Sequence, residues 1–207
     1  MELKLIIFDL DGVLVDACEW HRVALNDALK EVCDYEISIE NHYKVFNGIP
    51  TKVKLQKLTD MGIVSKSQHK AIYDLKQLKT IEIINKFAKV RNEKIDLLKT
   101  LKNNGFSLSC YTNSIRLTAD LMLKKTGVYY LFDKILTNQD VDSPKPDPEG
   151  YNHLIKSFGV LAKETLIIED PPKGIEAAES SGAHLLKVKN PDCVNLDLFK
   201  DILQEKI

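Results

Sequence analysis

Leu3-Lys4-Leu5-Ile6-Ile7-Phe8-Asp9-Leu10-Asp11-Gly12 is the stretch on which the fold turns. From Leu3 to Leu10 it is short, apolar and rich in β-branched residues, the pattern of a strand buried on both faces of a parallel sheet. Similar runs recur at Phe106–Tyr111, Lys134–Leu136, Thr165–Ile168 and Ala183–Val188. Helical patterns lie between them. Asp96–Lys102 ends before Gly105, Ser114–Lys125 ends before Gly127, and Pro148–Phe158 and Pro172–Ser181 complete the alternation. Strands alternating with helices predict an α/β fold, a Rossmann-like parallel sheet with right-handed crossovers.

One stretch breaks the rhythm. From about Asp16 to Phe87 the chain reads as almost wholly helical, with segments at Glu19–Val32, Thr51–Leu58 and Ser67–Phe87. The expected organisation is an α/β core over 1–15 and 88–207, with an inserted α-helical domain over 16–87.

Composition narrows the function classes. The 207 residues carry 29 Lys+Arg against 30 Asp+Glu, so no overall field draws the chain to nucleic acid or an anionic membrane. Hydrophobic residues make up 44%, yet no run is long enough to span a bilayer. Charge is uneven: Lys44 to Lys102 holds 14 basic and 5 acidic residues. A solvated, lysine-rich helical surface is favoured there over a dedicated anion funnel. Cys18, Cys33, Cys110 and Cys193 show no metal-binding spacing and read as reduced, mostly buried thiols. The N-terminal run is too short for an export signal, so a cytoplasmic location is expected.

Open parallel sheets place their sites beyond the carboxyl ends of the strands. Each apolar run is followed there by groups suited to phosphate or metal. Asp9 and Asp11 are spaced i, i+2, which in extended backbone puts both on one side. Two such carboxylates can divide labour as nucleophile and general acid, or can serve as turn residues. Thr112 and Asn113 offer a hydroxyl and an amide at a strand-to-helix turn, and Ser114 reads as the N-cap of the next helix. Lys145 stands among Pro144, Pro146 and Pro148, a stiff setting for an ammonium. Glu169 and Asp170 bring two further acids to the same crevice. Four carboxylates clustered without histidine or cysteine call for a hard cation, with Mg²⁺ favoured.

Together, Asp9-x-Asp11-Gly12-Val13, Thr112-Asn113, Lys145 and Glu169-Asp170 resemble the four motifs of the haloacid dehalogenase-like hydrolases, in order and over nearly the whole chain. Leu14-Val15-Asp16 with His21, and Glu169-Asp170-Pro171 through Gly182, look like the β-phosphoglucomutase and phosphoglycolate phosphatase branch. The resemblance implies that Asp9 attacks phosphorus and that Asp11 protonates the leaving alcohol and then activates water. It implies that Thr112 and the Asn113 backbone bind the phosphoryl group and that Lys145 balances charge. Mg²⁺ would be held by Asp9, the Asp11 carbonyl oxygen and Asp170, with Glu169 directly or through water. The helical insert corresponds to the family's cap, and Asn47-Gly48-Ile49-Pro50-Thr51-Lys52 to its substrate-reading loop.

The expected activity is hydrolysis of a small-molecule phosphomonoester by a monomer. A sugar phosphomutase and a non-catalytic binding protein are the alternatives. Thr51 stands where the hexose phosphomutases carry an arginine, leaving Lys52 or Lys54 as substitutes. His21 matches a hinge histidine of the mutase branch and equally fits a packing role. Arg91-Asn92-Glu93 replaces the usual Pro-Gly of the second hinge.

Overall fold

The computed structural model describes residues 3–204. Five strands, β1 (Leu5–Phe8), β2 (Ser107–Tyr111), β3 (Lys134–Leu136), β4 (Thr165–Glu169) and β5 (His184–Lys187), form one sheet in the order β3-β2-β1-β4-β5. Every pairing is parallel, as the alternation predicts. The helices are α1 (Cys18–Cys33), α2 (Ile39–Asn41), α3 (Thr51–Asp60), α4 (His69–Phe87), α5 (Asn92–Asn103), α6 (Arg116–Thr126), α7 (Glu149–Ser157), α8 (Pro172–Ser180) and α9 (Lys200–Gln204).

The central strand shows why the sheet is buried on both sides. All four residues of β1 are fully buried, and they alternate between two cores. Ile6 and Phe8 join Leu97, Leu98 and Leu101 of α5 and Met122 and Leu123 of α6. Leu5 and Ile7 join Tyr151 and Leu154 of α7 and Ala177 and Ala178 of α8. The result is a three-layer α/β/α arrangement. A third cluster, with Leu25, Leu29, Phe46, Leu55, Leu58 and Ile72 at its centre, lies wholly within the helical stretch between β1 and α5. That stretch closes its own core, with α1 packed along α4.

Sheet order locates the site. β1 lies between β2 and β4, so the chain leaves it first toward β2 and β3 and later returns on the other side through β4 and β5. The reversal opens a crevice at the carboxyl ends of β1 and β4. Asp9 follows β1 directly, and β4 ends in Glu169 followed by Asp170.

Two expectations need correction. Ser114 does not cap α6: the N-cap is Ile115, with no side-chain capping bond, and the serine hydroxyl turns into the crevice. The four cysteines are free, but only Cys110, inside β2, is buried; Cys193 sits on a surface turn and is exposed.

Candidate active site

Lys145 is the hub. It is 3% exposed, and its Nζ donates to Asp9 Oδ1 at 2.7 Å, to Glu169 Oε1 at 2.6 Å and to the Tyr111 carbonyl at 2.8 Å. The rings of Tyr111 and Tyr151, 5.0 Å apart and nearly perpendicular, present their faces to the same ammonium at 4.7 and 5.1 Å. Burial alone would lower this lysine, but Asp9 and Glu169 outweigh it and hold its pKa well above the usual value.

Glu169 is fully buried. Its Oε1 also accepts from the Tyr151 hydroxyl, and its Oε2 accepts from the Asp170 backbone N–H at 3.2 Å. Gly174, at the start of α8, allows this close packing: a Cβ there would lie 2.2 Å from the Glu169 carboxyl. Gly12 does the same for Asp170. Its φ of +97° suits glycine, and a Cβ would come within 2.2 Å of Asp170 Oδ2.

Asp9, Glu169 and Asp170 each place a carboxylate oxygen within 4.8 Å of the others. Burial first, then the neighbouring acids, push Asp9 up to about 8 against the pull of Lys145, and push Asp170 up to about 9. Three acids this close, two buried and one half-buried, cannot all ionise unaided beside one lysine. Asp170 Oδ1 is buried with no hydrogen-bond partner. An all-oxygen donor set with an unpaired acceptor fits a hard divalent cation.

The Asp11 carboxylate stands apart from that trio. Its Oδ1 meets His21 Nε2 at 3.1 Å, while its Oδ2 accepts from the Ser114 hydroxyl at 2.7 Å and the Thr112 hydroxyl at 3.2 Å. Burial pushes Asp11 up, but His21, Ser114 and Lys76 together hold it below the ordinary carboxylate range. The other ring nitrogen of His21 faces Lys76 Nζ at 3.3 Å.

Asn113 ties loops together. Its side-chain nitrogen donates to the carbonyls of Gly48 and Lys145, at 2.9 and 3.0 Å, and its oxygen accepts from the Lys145 N–H at 3.1 Å. The loop at Gly48 is thus hydrogen-bonded to the tip of β2. Gly48 also faces Pro171, which would lie 3.1 Å from an added Cβ.

Asp9, Asp11, His21, Gly48, Thr51, Lys52, Thr112, Asn113 and Lys145 all line one cavity of about 340 Å³, with Glu169 and Asp170 joined to it through Asp9 and Lys145. Sequence reading missed several of its residues, among them Tyr73, Lys76, Gln77 and Asn138, and the inward role of Ser114. Lys54, named only as a substitute for the absent arginine, proves to be buried in the cavity wall. A signal for the lysines exists. Lys76 falls on the buried stripe Ile72-Lys76-Thr80-Ile84 of α4, and Lys54 beside Leu55 and Leu58 on the buried face of α3.

Known proteins resemble this chain over most of its length. The chain is 26% identical over 185 residues to pyrophosphatase PpaX of Bacillus velezensis, covering 86% of this chain and 79% of the relative. It is 25% identical over 194 residues to a phosphoglycolate phosphatase of Nitrosospira multiformis, covering 91% and 84%. A solved β-phosphoglucomutase from Clostridium difficile superposes with a TM-score of 0.82 over 98% of each chain at 20% identity, a likeness of fold. The profile of the haloacid dehalogenase-like hydrolases matches residues 6–188, and the chain belongs to that family.

Proposed function

We propose that the protein is a Mg²⁺-dependent phosphatase of small phosphomonoesters that works through an aspartyl-phosphate on Asp9. The observation that carries this reading is the convergence of Asp9, Lys145, Glu169 and Asp170 at the tips of two adjacent strands, with Asp11 held separately beside them. Relatives named for pyrophosphate and phosphoglycolate hydrolysis support the same reaction class.

The division of labour is the one the resemblance to the family implies; since burial holds Asp9 high and hydrogen bonds hold Asp11 low, it requires that a bound cation draw Asp9 down and that the incoming phosphoryl group favour a proton on Asp11. Asp9 attacks phosphorus and the ester oxygen leaves. Lys145 neutralises charge on Asp9 and on the phosphoryl oxygens, and Thr112 with the Asn113 backbone positions the group. Asp11 gives its proton to the leaving alkoxide, then takes one from the water that cleaves the aspartyl-phosphate. His21, Ser114 and Thr112 orient that carboxyl away from the acid trio. Mg²⁺, held by Asp9, Asp170 and the Asp11 carbonyl oxygen with Glu169 in support, would neutralise the buried acids and the transferring phosphoryl oxygens. The helical stretch over 16–87 would act as the cap that limits water at the site, with Gly48, Thr51 and Lys52 facing the leaving group.

The test is a screen of metabolite phosphates and p-nitrophenyl phosphate, with Mg²⁺ and with chelator. Hydrolysis that chelator silences and Mg²⁺ restores is expected. Hydrolysis indifferent to chelator would remove the metal from the reading, and no hydrolysis of any ester would remove the phosphatase.

A further inference from the structure

The turn that follows β3 is braced beyond what a surface loop needs. Thr137 is fully buried, and its N–H and hydroxyl both donate to Asp140 Oδ2 at 2.7 Å. Arg116 Nη2 donates to the same oxygen at 2.5 Å and to the Ile135 carbonyl at 2.9 Å. Gln139 Oε1 accepts from the N–H of Arg116, the first residue of α6, at 2.8 Å. The turn is thus pinned to β3 and to the start of α6, and it carries Asn138 to the wall of the site cavity.

Asn138 grips the neighbouring turn, the one after β2. Its Nδ2 donates to the Asn113 carbonyl at 2.9 Å, and its backbone N–H donates to the Ser114 carbonyl at 3.3 Å. The first bond sets a peptide plane. The Asn113–Ser114 peptide is trans, so its C=O and N–H point opposite ways. Turning the Asn113 carbonyl toward Asn138 therefore sends the Ser114 N–H to the other side, where it donates to Thr112 Oγ1 at 2.9 Å. With a lone pair of that hydroxyl so occupied, its one proton is directed away from the turn and goes to Asp11 Oδ2 at 3.2 Å. An unbroken run of contacts leads from Asn138 through one peptide to Thr112 and Asp11.

This grip has a cost. Asn138 Oδ1 is buried and finds no hydrogen-bond partner among the described residues. Turning the amide over would satisfy nothing, since it would set oxygen against oxygen at Asn113. A buried polar atom left unpaired disfavours the fold, and an apolar side chain here would avoid it. We infer that Asn138 is a positioning residue for phosphoryl transfer: through the Asn113–Ser114 peptide it holds the Thr112 hydroxyl as a donor toward the phosphoryl group and Asp11. This rests on the phosphatase reading, in which Thr112 binds that group, and adds to it a residue outside the four motifs that acts through Thr112.

The experiment compares the Mg²⁺-loaded full chain with Asn138→Ala and Asn138→Asp. Each variant should lower kcat/KM for p-nitrophenyl phosphate about tenfold, the worth of one hydrogen bond, and weaken orthovanadate, a mimic of the phosphoryl group in transfer, by a like factor in calorimetric titration. Aspartate keeps the size and turn preference of asparagine but lacks the N–H donor, so a loss shared by both variants belongs to the hydrogen bond and not to packing. A cycle with Thr112→Val tells positioning from plain support of the loop. A residue that acts through Thr112 matters little once that hydroxyl is gone, so Asn138→Ala added to Thr112→Val should cost less than about threefold. A full tenfold loss in that background, or wild-type vanadate affinity in either folded variant, overturns the role. Vanadate binding needs no turnover, so the two claims part. Vanadate affinity that both substitutions weaken, in a wild type that hydrolyses no ester, upholds the positioning and refutes the phosphatase. Hydrolysis and vanadate affinity that both leave intact do the reverse.

Discussion

Lys145 keeps its charge at 3% exposure because two carboxylates, a carbonyl and two aromatic faces surround it. Removing one member of a buried ion pair strands the others, at a cost of about 3–5 kcal/mol. Lys145→Ala should therefore lower unfolding free energy by about that amount in urea titrations without divalent ion, and a loss under about 1 kcal/mol would show that the network is not stabilising. Ser114→Ala tests the setting of Asp11. The hydroxyl helps to hold that carboxyl low, so its loss should raise the acid limb of the kcat profile toward higher pH and lower kcat several-fold. An unchanged profile would remove Ser114 from the site. Residue identity made Asp9, Asp11, Lys145, Glu169 and Asp170 legible as candidates, since each stands at or just past a strand end or in a proline-braced loop. Ser114 misled because serine ahead of a helix is usually a cap, and only the register of α6, which starts at Arg116, frees its hydroxyl.

At the scale of elements, the strands were the readable part. β3 matches its expected span; β1, β2 and β5 fall short by one or two residues at an end, where apolar character outlasts pairing, and β4 runs one residue further, to Glu169. Their length decides the reading: apolar runs of four or five residues are too short for a helix. The basic middle was read less well. A charge count cannot say which lysines turn inward, whereas the helical stripe can: Lys54, Lys76 and Lys94 all sit in core register. The loop after β1 supplies this scale's prediction. Gly12→Ala places a Cβ 2.2 Å from Asp170 Oδ2 in a left-handed backbone. It should cost more than about 1 kcal/mol and weaken Mg²⁺ binding at least tenfold by calorimetry. Unaltered Mg²⁺ affinity would place the ion elsewhere.

Across the whole molecule, the helical stretch and the sheet share one charged cavity, so its ionisation marks stability against pH. Lys54 has a folded value of about 8 against an ordinary 10.5, so the unfolded chain holds more protons between those values. Stability then rises with pH across that window, and Lys54→Met should flatten the rise in thermal unfolding from about pH 8 to 10. An identical slope in both proteins would mean that Lys54 is not held out of water. The central claim, however, is that Asp9 carries the phosphoryl group in a metal-dependent step. Acetyl phosphate tests it most directly, because acetate leaves without a proton and Asp11→Asn then blocks chiefly the water step. Asp11→Asn mixed with acetyl phosphate and Mg²⁺, quenched, reduced with borohydride and digested, should yield homoserine at position 9 by mass spectrometry, and none when chelator replaces Mg²⁺. Homoserine at another aspartate, or phosphoryl transfer undiminished in Asp9→Asn, would contradict the account.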